Sequence, residues 1–215
     1  MKKGLTELVF VLDMSGSMSG LTQDTIGGFN SLIEKQKKEE GEAIVTLVVF
    51  NNEVYSIFDR IPIKDVKKLT EKDYCPQGCT ALLDAVGFTI NHIDAKHLEL
   101  KDEFLPEKVM MVITTDGMEN SSEEYTYTSI RRMIDKKKEL GWEFIFLGAN
   151  IDVQTEARKF GINEANAAEY NCDKEGLKIS YDVLSKAVCQ VRATGSVDKK
   201  WRAKIDKDVK ERKTK

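Results

Sequence analysis

The chain has 215 residues, of which 41% are hydrophobic and 32% are charged, and its net charge is −3 at pH 7. This length fits one globular domain that can bury roughly 70% of its unfolded surface, so it needs no disulfide or metal to fold. The acidic balance argues against nucleic acid as a partner. No apolar run reaches the roughly 18 residues of a membrane span, so a membrane is not expected as a partner either.

The charge is distributed unevenly along the chain. Residues 196–215 carry a net charge of +5, which leaves −8 on residues 1–195. Short basic runs of this kind are typically solvated and partly disordered, although docking to an acidic partner is an alternative. We therefore predict one domain over residues 1–195, followed by a basic, partly disordered tail over residues 196–215.

The first half of the chain alternates apolar runs with helical patterns. A strand is predicted at Leu8–Leu12, followed by a helix from about Thr22 to Lys38 and a second strand at Ile44–Phe50. Two asparagines then indicate a hairpin turn, which makes Glu53–Phe58 an antiparallel edge strand. A second helix is expected from about Thr80 to Ala95, where apolar residues recur at helical spacing.

The alternation continues in the second half. Strands are predicted at Val109–Ile113, Phe144–Leu147 and Ala167–Tyr170, with one helix ending near Gly141 and a last helix around Leu177–Val191. The apolar runs are continuous, which is typical of parallel strands buried on both faces. The sequence therefore predicts an α/β fold: a doubly wound, mostly parallel sheet with one antiparallel edge strand and helices on both faces.

Side-chain oxygens collect where the predicted strands end. Asp13 follows the first strand, with Ser15 and Ser17 two and four residues later, and Asp116 follows the Val109–Ile113 strand. Ligands of doubly wound sheets bind beyond the carboxyl ends of the strands. Thr80 begins the second helix, where its hydroxyl could cap the helix or point to the same place.

This donor set consists of two carboxylates and three hydroxyl groups. Oxygen donors with little charge suit a hard cation that keeps some of its water, so Mg²⁺ or Mn²⁺ is the expected cofactor rather than Zn²⁺. The alternative is that the two serines only satisfy backbone groups of their loop, as serines in turns often do.

Three motifs resemble those of von Willebrand factor type A domains. "DMSGSMS" is similar to the D-x-S-x-S motif of that family, "GCT" to its threonine segment and "TTDG" to its last aspartate segment. The resemblance covers roughly Thr6 to Arg192, with a departure at Cys79, where many members have glycine. It implies a metal-ion-dependent adhesion site, in a stand-alone member of bacterial type. The metal residues it implies are Asp13, Ser15, Ser17, Thr80 and Asp116.

The resemblance also implies a function. In this family the metal typically captures an Asp or Glu side chain of a partner protein, so a metal-dependent protein-interaction module is expected rather than an enzyme. One alternative is an accessory subunit of an ATP-driven or stress-response complex. A weaker one is a Mg²⁺-dependent phosphatase with Asp13 as nucleophile, although that chemistry normally needs a second acid where this chain has Ser15.

Other features support a cytoplasmic protein. Thr6, Glu7 and Asp13 interrupt the apolar run after the N-terminal lysines, which argues against a signal peptide. The four cysteines are then expected to stay reduced. Cys75 and Cys79 lack the two further ligands in ribbon or finger spacing that a structural zinc site would need.

Overall fold

The computed structural model describes residues 1–213 and shows a six-stranded sheet between two layers of helices. The strands are β1 Lys2–Asp13, β2 Glu42–Phe50, β3 Val54–Pro62, β4 Pro106–Thr115, β5 Trp142–Gly148 and β6 Ala167–Glu169. The α-helices of this range are α1 Thr22–Gln36, α2 Leu82–Leu98, α3 Tyr127–Glu139, α4 Val153–Phe160, α5 Lys174–Thr194 and α6 Ala203–Lys213.

The strand order is β3-β2-β1-β4-β5-β6, with β3 antiparallel to β2 and every other neighbouring pair parallel. The chain therefore builds one half of the sheet outward from β1 and then returns to build the other half from β4. This confirms the predicted α/β fold and its antiparallel edge strand. The strand order reverses between β1 and β4, and the carboxyl ends of these two strands flank the usual ligand position.

The side chains of β1 divide the core into two parts. Leu8, Phe10 and Leu12 pack into the cluster beneath α1, α5 and α6. Val9 and Val11 point the other way, into the cluster beneath α2, α3 and α4. Both faces of β1 are buried because helices cover both sides of the sheet, which explains its continuous apolar run.

The C-terminal segment differs from the predicted tail. Residues 203–213 form α6, and Trp201, Ile205 and Val209 are each at most 9% exposed within the core cluster beneath α1 and α5. The indole N–H of Trp201 also donates a hydrogen bond to the Ala165 carbonyl. The expectation of a disordered tail is therefore wrong for this segment, because three apolar residues spaced by four, Trp201 just before α6 and two within it, make one buried face on an otherwise charged segment. Residues 214–215 lie outside the described part of the chain.

Two further features concern local elements. Helix α4 has only eight residues and was not predicted, although its buried residues Val153, Ala157 and Phe160 recur at helical spacing. Within α1, a Cβ atom at Gly28 would overlap the ring of Tyr181 on α5. The glycine therefore permits close packing of α1 against α5. No helix among residues 1–213 is long and apolar enough to cross a membrane.

Candidate metal centre

The candidate centre lies at the carboxyl ends of β1 and β4. Asp13 is the last residue of β1, and Asp116 follows Thr115, the last residue of β4. The loop after Asp13 curls back over the sheet: Gly16 N–H donates to the carbonyl of Gly78 at 3.0 Å. This bond holds the serine loop against the segment that carries Thr80.

A chain of hydrogen bonds connects four of the five predicted metal residues. The backbone N–H of Ser15 donates to Asp13 Oδ1 at 2.7 Å, and the hydroxyl groups of Ser15 and Ser17 lie 3.0 Å apart. Ser17 Oγ then donates to Asp116 Oδ1 at 2.6 Å. Oxygens from two strand ends, 103 positions apart in the sequence, therefore meet around one point.

Thr80 is held against the loop that follows Asp116. Its backbone N–H donates to Asn120 Oδ1 at 2.9 Å, and Asn120 N–H donates back to the Thr80 carbonyl at 3.1 Å. Its hydroxyl oxygen lies 3.7 Å from the place a Cβ atom at Gly117 would occupy. The residue before α2 is Ala81, and no side-chain cap bond is present there, so the Thr80 hydroxyl does not cap the helix.

The two carboxylates are buried without a positive partner. Asp13 is 1% exposed and Asp116 is 2% exposed. Among residues 1–213, their side chains accept hydrogen bonds only from neutral groups, and neither forms an ion pair. Two buried negative charges close together are costly without a compensating cation.

Electrostatics at Asp13 reflect this burial. Loss of solvent raises the pKa of the Asp13 carboxyl above its ordinary value, and the Asp116 carboxylate adds to that rise. Hydrogen bonds from Thr115 and Ser15 oppose it and lower the pKa. Neutral donors therefore orient the Asp13 carboxylate, but no cation among residues 1–213 balances its negative charge.

Sequence reasoning missed several residues of the surrounding shell. Thr115 Oγ1 donates to Asp13 Oδ2 at 2.6 Å, and Tyr74 donates to the Asp13 carbonyl at 2.5 Å. Cys172 Sγ lies 3.8 Å from Asp116 Oδ2, and Asn150 Nδ2 donates to the Asp116 carbonyl at 3.3 Å. Only Thr115 had a local signal, since it directly precedes Asp116; the other three arrive from distant loops.

The centre opens to solvent on one side. Ser15 and Thr80 are buried, whereas Ser17 is exposed. Of the methionines around the motifs, Met18 is 2% exposed and belongs to the core, while Met118, two residues after Asp116, is 67% exposed. A ligand could therefore reach the centre past Ser17 and Met118.

The donor chemistry favours a hard cation. Within residues 1–213, no three His, Cys, Asp or Glu side chains gather in a way that could hold a metal ion. A site for a soft or borderline metal would normally use such residues. The candidate centre instead combines two carboxylates with hydroxyl oxygens, which fits Mg²⁺ or Mn²⁺.

The fold and this centre define a known class of domain. A family model for the von Willebrand factor type A domain matches residues 7–178, so the chain belongs to that family. The resemblance of the three motifs is thereby confirmed at the level of the family. No curated protein matches the sequence closely enough to count as a relative.

Solved structures share the fold at low sequence identity. Proximal thread matrix protein 1 from the mussel byssus, with a zinc-occupied MIDAS motif, is 16% identical with a TM-score of 0.60; the match covers 86% of this chain but only 46% of that one. The vWF domain of the pili tip protein Mfa5 from Porphyromonas gingivalis is 11% identical with a TM-score of 0.64, and the match covers 85% and 94% of the two chains. Manganese-loaded TRAP protein from Plasmodium vivax is 14% identical with a TM-score of 0.56, covering 83% and 73%.

Proposed function

We propose that this chain is a divalent-metal-dependent protein-interaction module. Its metal would be Mg²⁺ or Mn²⁺, and its partner would present an Asp or Glu side chain to the metal. The residues proposed to hold the ion are Asp13, Ser15, Ser17, Thr80 and Asp116. The observation that carries the proposal is the pair of buried carboxylates, joined through Ser17 and lacking any cation among residues 1–213.

The residues of the centre would have different roles in holding the ion. Asp13 and Asp116 supply negative charge, while Thr115 and the Ser15 N–H hold the Asp13 carboxylate in a fixed orientation. Five protein oxygens cannot all bind an octahedral ion directly and leave room for a partner, so some of them would act through water. The ion, when bound, supplies an open coordination position for the partner's carboxylate.

The related structures support a metal at this place. The mussel byssus protein carries zinc in its MIDAS motif, and the Plasmodium vivax protein is manganese-loaded. For the present chain the hydroxyl-rich donor set favours Mg²⁺ or Mn²⁺ over zinc.

A binding role is favoured over catalysis. Both histidines of the chain contact carboxylates away from the centre: His92 faces Asp59, and His97 faces Glu7. Neither can therefore act as the base that a serine nucleophile would need. We further propose a reducing, cytoplasmic location, which the four free cysteines fit.

The test is metal-dependent capture of a partner. The full chain is immobilised and exposed to native lysate with Mg²⁺ or with chelator, beside Asp116→Ala and the control Asp102→Ala, which changes an exposed carboxylate in the loop before β4. Recovery of the same protein by the wild type and the control, lost with chelator and with Asp116→Ala, supports the proposal. Recovery that ignores both metal and Asp116 contradicts it.

A further inference from the structure

A groove lies between the edge strand β3 and helix α2. It has a volume of about 510 Å³, and the residues that line it include Val48, Asn52, Val54, Ser56, Phe88 and His92. Its walls are mostly apolar, with valines from the sheet facing Phe88 from the helix. Asp84, Phe88 and His92 follow one another at intervals of four, so they form one stripe along α2.

The groove begins beside the candidate metal centre. Asn52 Oδ1 accepts a hydrogen bond from Cys79 N–H at 2.8 Å, and the Asn51 carbonyl accepts one from Ala81 N–H at 2.8 Å. These two contacts bracket Thr80. A partner chain that reaches the centre therefore meets the groove entrance next.

The strand that forms one wall has a free edge. β3 is the last strand on its side of the sheet, so its outer backbone groups have no neighbouring strand within residues 1–213. Its pairing with β2 is regular at Val54, Tyr55 and Ser56, whereas the register shifts further along and Arg60 has a φ of 53°. The regular end, which can accept an added strand, is the end beside the metal centre.

Phe88 on the other wall is exposed yet held in place. It is 45% exposed, and its ring meets the edge of Tyr125 with centroids 5.4 Å apart. Tyr125 lies close because residue 87 is glycine: a Cβ atom there would be 2.5 Å from the tyrosine ring. A large aromatic side chain that is already oriented loses little entropy on binding, which is typical of interface hot spots.

The entrance carries negative charge. Glu53, Glu123 and Glu124 are exposed, and none of them forms an ion pair within the described residues. The backbone N–H groups of Glu123 and Glu124 bind the Asp84 carboxylate, which fixes this acidic loop beside α2. The complementary partner is therefore basic where it passes the entrance.

We propose that the groove is the second contact of the partner bound at the metal centre. The occupant is an extended segment of that partner, which pairs with the edge of β3, places an apolar side chain against Phe88 and carries a basic residue near Glu53. The acidic residue of the same partner reaches the metal. This inference rests on the proposed function, since it assigns the groove to the partner of the same centre.

The experiment uses the full chain and a displayed library of random peptides as the probe. Peptides are bound in Mn²⁺ and eluted first with chelator and then with acid, and the affinities of synthetic peptides from both fractions are measured for three proteins. These are the wild type, Phe88→Ala and Phe104→Ala. Phe104 is a matched control, because it is 52% exposed and lies before β4, at the opposite end of the parallel strands. Unchanged melting and Mn²⁺ response of both variants show that they fold.

We expect the eluted peptides to combine an acidic residue with an apolar and a basic one. Phe88→Ala should weaken their binding roughly tenfold or more, with no change for Phe104→Ala. If the peptides bound Phe88→Ala and the wild type with equal affinity, the groove would not be a contact of the partner, whereas the proposed metal-dependent module would still stand. If the only peptides that need Phe88 came from the acid fraction, the joint site would be overturned, because the groove would then bind without the metal. Failure to select any chelator-sensitive peptide would count against the proposed function itself.

Discussion

Strand β1 carries two buried carboxylates on the same face, six residues apart, and they have different kinds of partner. Glu7 is fully buried, with Arg60 Nε 2.8 Å from one oxygen and His97 Nε2 2.6 Å from the other. Asp13 is buried to the same degree, but the groups that contact its carboxylate are a backbone N–H and the hydroxyl of Thr115. The chain therefore supplies a charged arginine at one position and only neutral donors at the other.

Under the proposed function, this difference separates a structural carboxylate, Glu7, from one that would bind a metal ion, Asp13. Arg60 acts on Glu7 mainly as an ion pair, because the N–H of Nε does not point along the 2.8 Å contact and the Nη2 hydrogen bond is longer, at 3.4 Å. In this triad of Glu7, Arg60 and His97, each carboxylate oxygen of Glu7 therefore has a partner from the chain itself. Asp13 lies at the end of β1 where the strand order reverses, and the proposed metal ion would supply the positive charge that this carboxylate lacks within residues 1–213.

The largest expected effect concerns the triad. Arg60→Met should lower the free energy of unfolding by about 3 kcal/mol, because removal of one partner leaves a buried carboxylate undercompensated. Urea unfolding measures this loss. The double variant Glu7→Leu with Arg60→Met should recover most of it, since no buried charge then remains. A cost below roughly 1 kcal/mol for Arg60→Met would show that Glu7 does not depend on its cation.

The next effect concerns the other end of the strand. At a Mn²⁺ concentration of about 100 times the dissociation constant, the wild type should gain about 2.7 kcal/mol of stability by linkage. Asp116→Ala should lose nearly all of that gain, because one of the two carboxylates of the centre is gone. Thermal unfolding with and without Mn²⁺ measures it.

The control for this prediction is Glu7→Gln, which changes the structural carboxylate and should keep the full Mn²⁺ response. An equal Mn²⁺ response in Asp116→Ala and the wild type would remove Asp116 from the centre and break the comparison.

A smaller effect is expected for the threonine. Thr80→Val removes one oxygen while keeping the shape of the side chain, and it should weaken Mn²⁺ binding about tenfold, equivalent to about 1.4 kcal/mol. Titration calorimetry measures the dissociation constant. Thr89→Val is the matched control, since that hydroxyl is buried in α2 and donates to the Ala85 carbonyl. Equal affinity in Thr80→Val and Thr89→Val would mean that Thr80 takes no part.

The smallest effect is the pH dependence of the metal-free protein. Burial raises the pKa of Asp13 from its ordinary value of 3.8, so the folded state holds the proton more tightly than the unfolded state does. The stabilisation that comes from the raised pKa of Asp13 is therefore fully present below pH 3.8, and it is lost as the pH rises through the raised pKa of the folded state. Denaturant unfolding of metal-free wild type and Asp13→Asn across the acidic range measures it. If the difference between the two proteins does not change with pH, Asp13 is not desolvated as described.

The candidate centre was accessible to sequence reasoning because its residues stand at element boundaries. Asp13 and Asp116 each follow a continuous apolar run, and Thr80 precedes an amphipathic helix. Boundaries of this kind are local, so spacing along the chain is enough to suggest them. Whether the five oxygens hold a metal remains a proposal.

The neighbours of the centre were not accessible in this way. Cys172 contacts a carboxylate 56 positions away, and Glu7 meets Arg60 and His97 at separations of 53 and 90 positions. None of these contacts corresponds to a periodic pattern in the sequence, because each depends on which loops and helices the sheet brings together.

The sequence by itself determined the alternation of buried strands and helices, the edge hairpin and the positions of the oxygens at the strand ends, since these follow from local hydrophobic periodicity and turn residues. Only the tertiary structure decided that Trp201, Ile205 and Val209 dock a helix onto the core, and that Phe88 lines a groove at the free edge of β3. It also decided that the buried carboxylate of Glu7 contacts Arg60, whereas that of Asp13 contacts neutral donors. These outcomes depend on long-range packing, in which a residue's role is set by distant partners rather than by its neighbours in sequence.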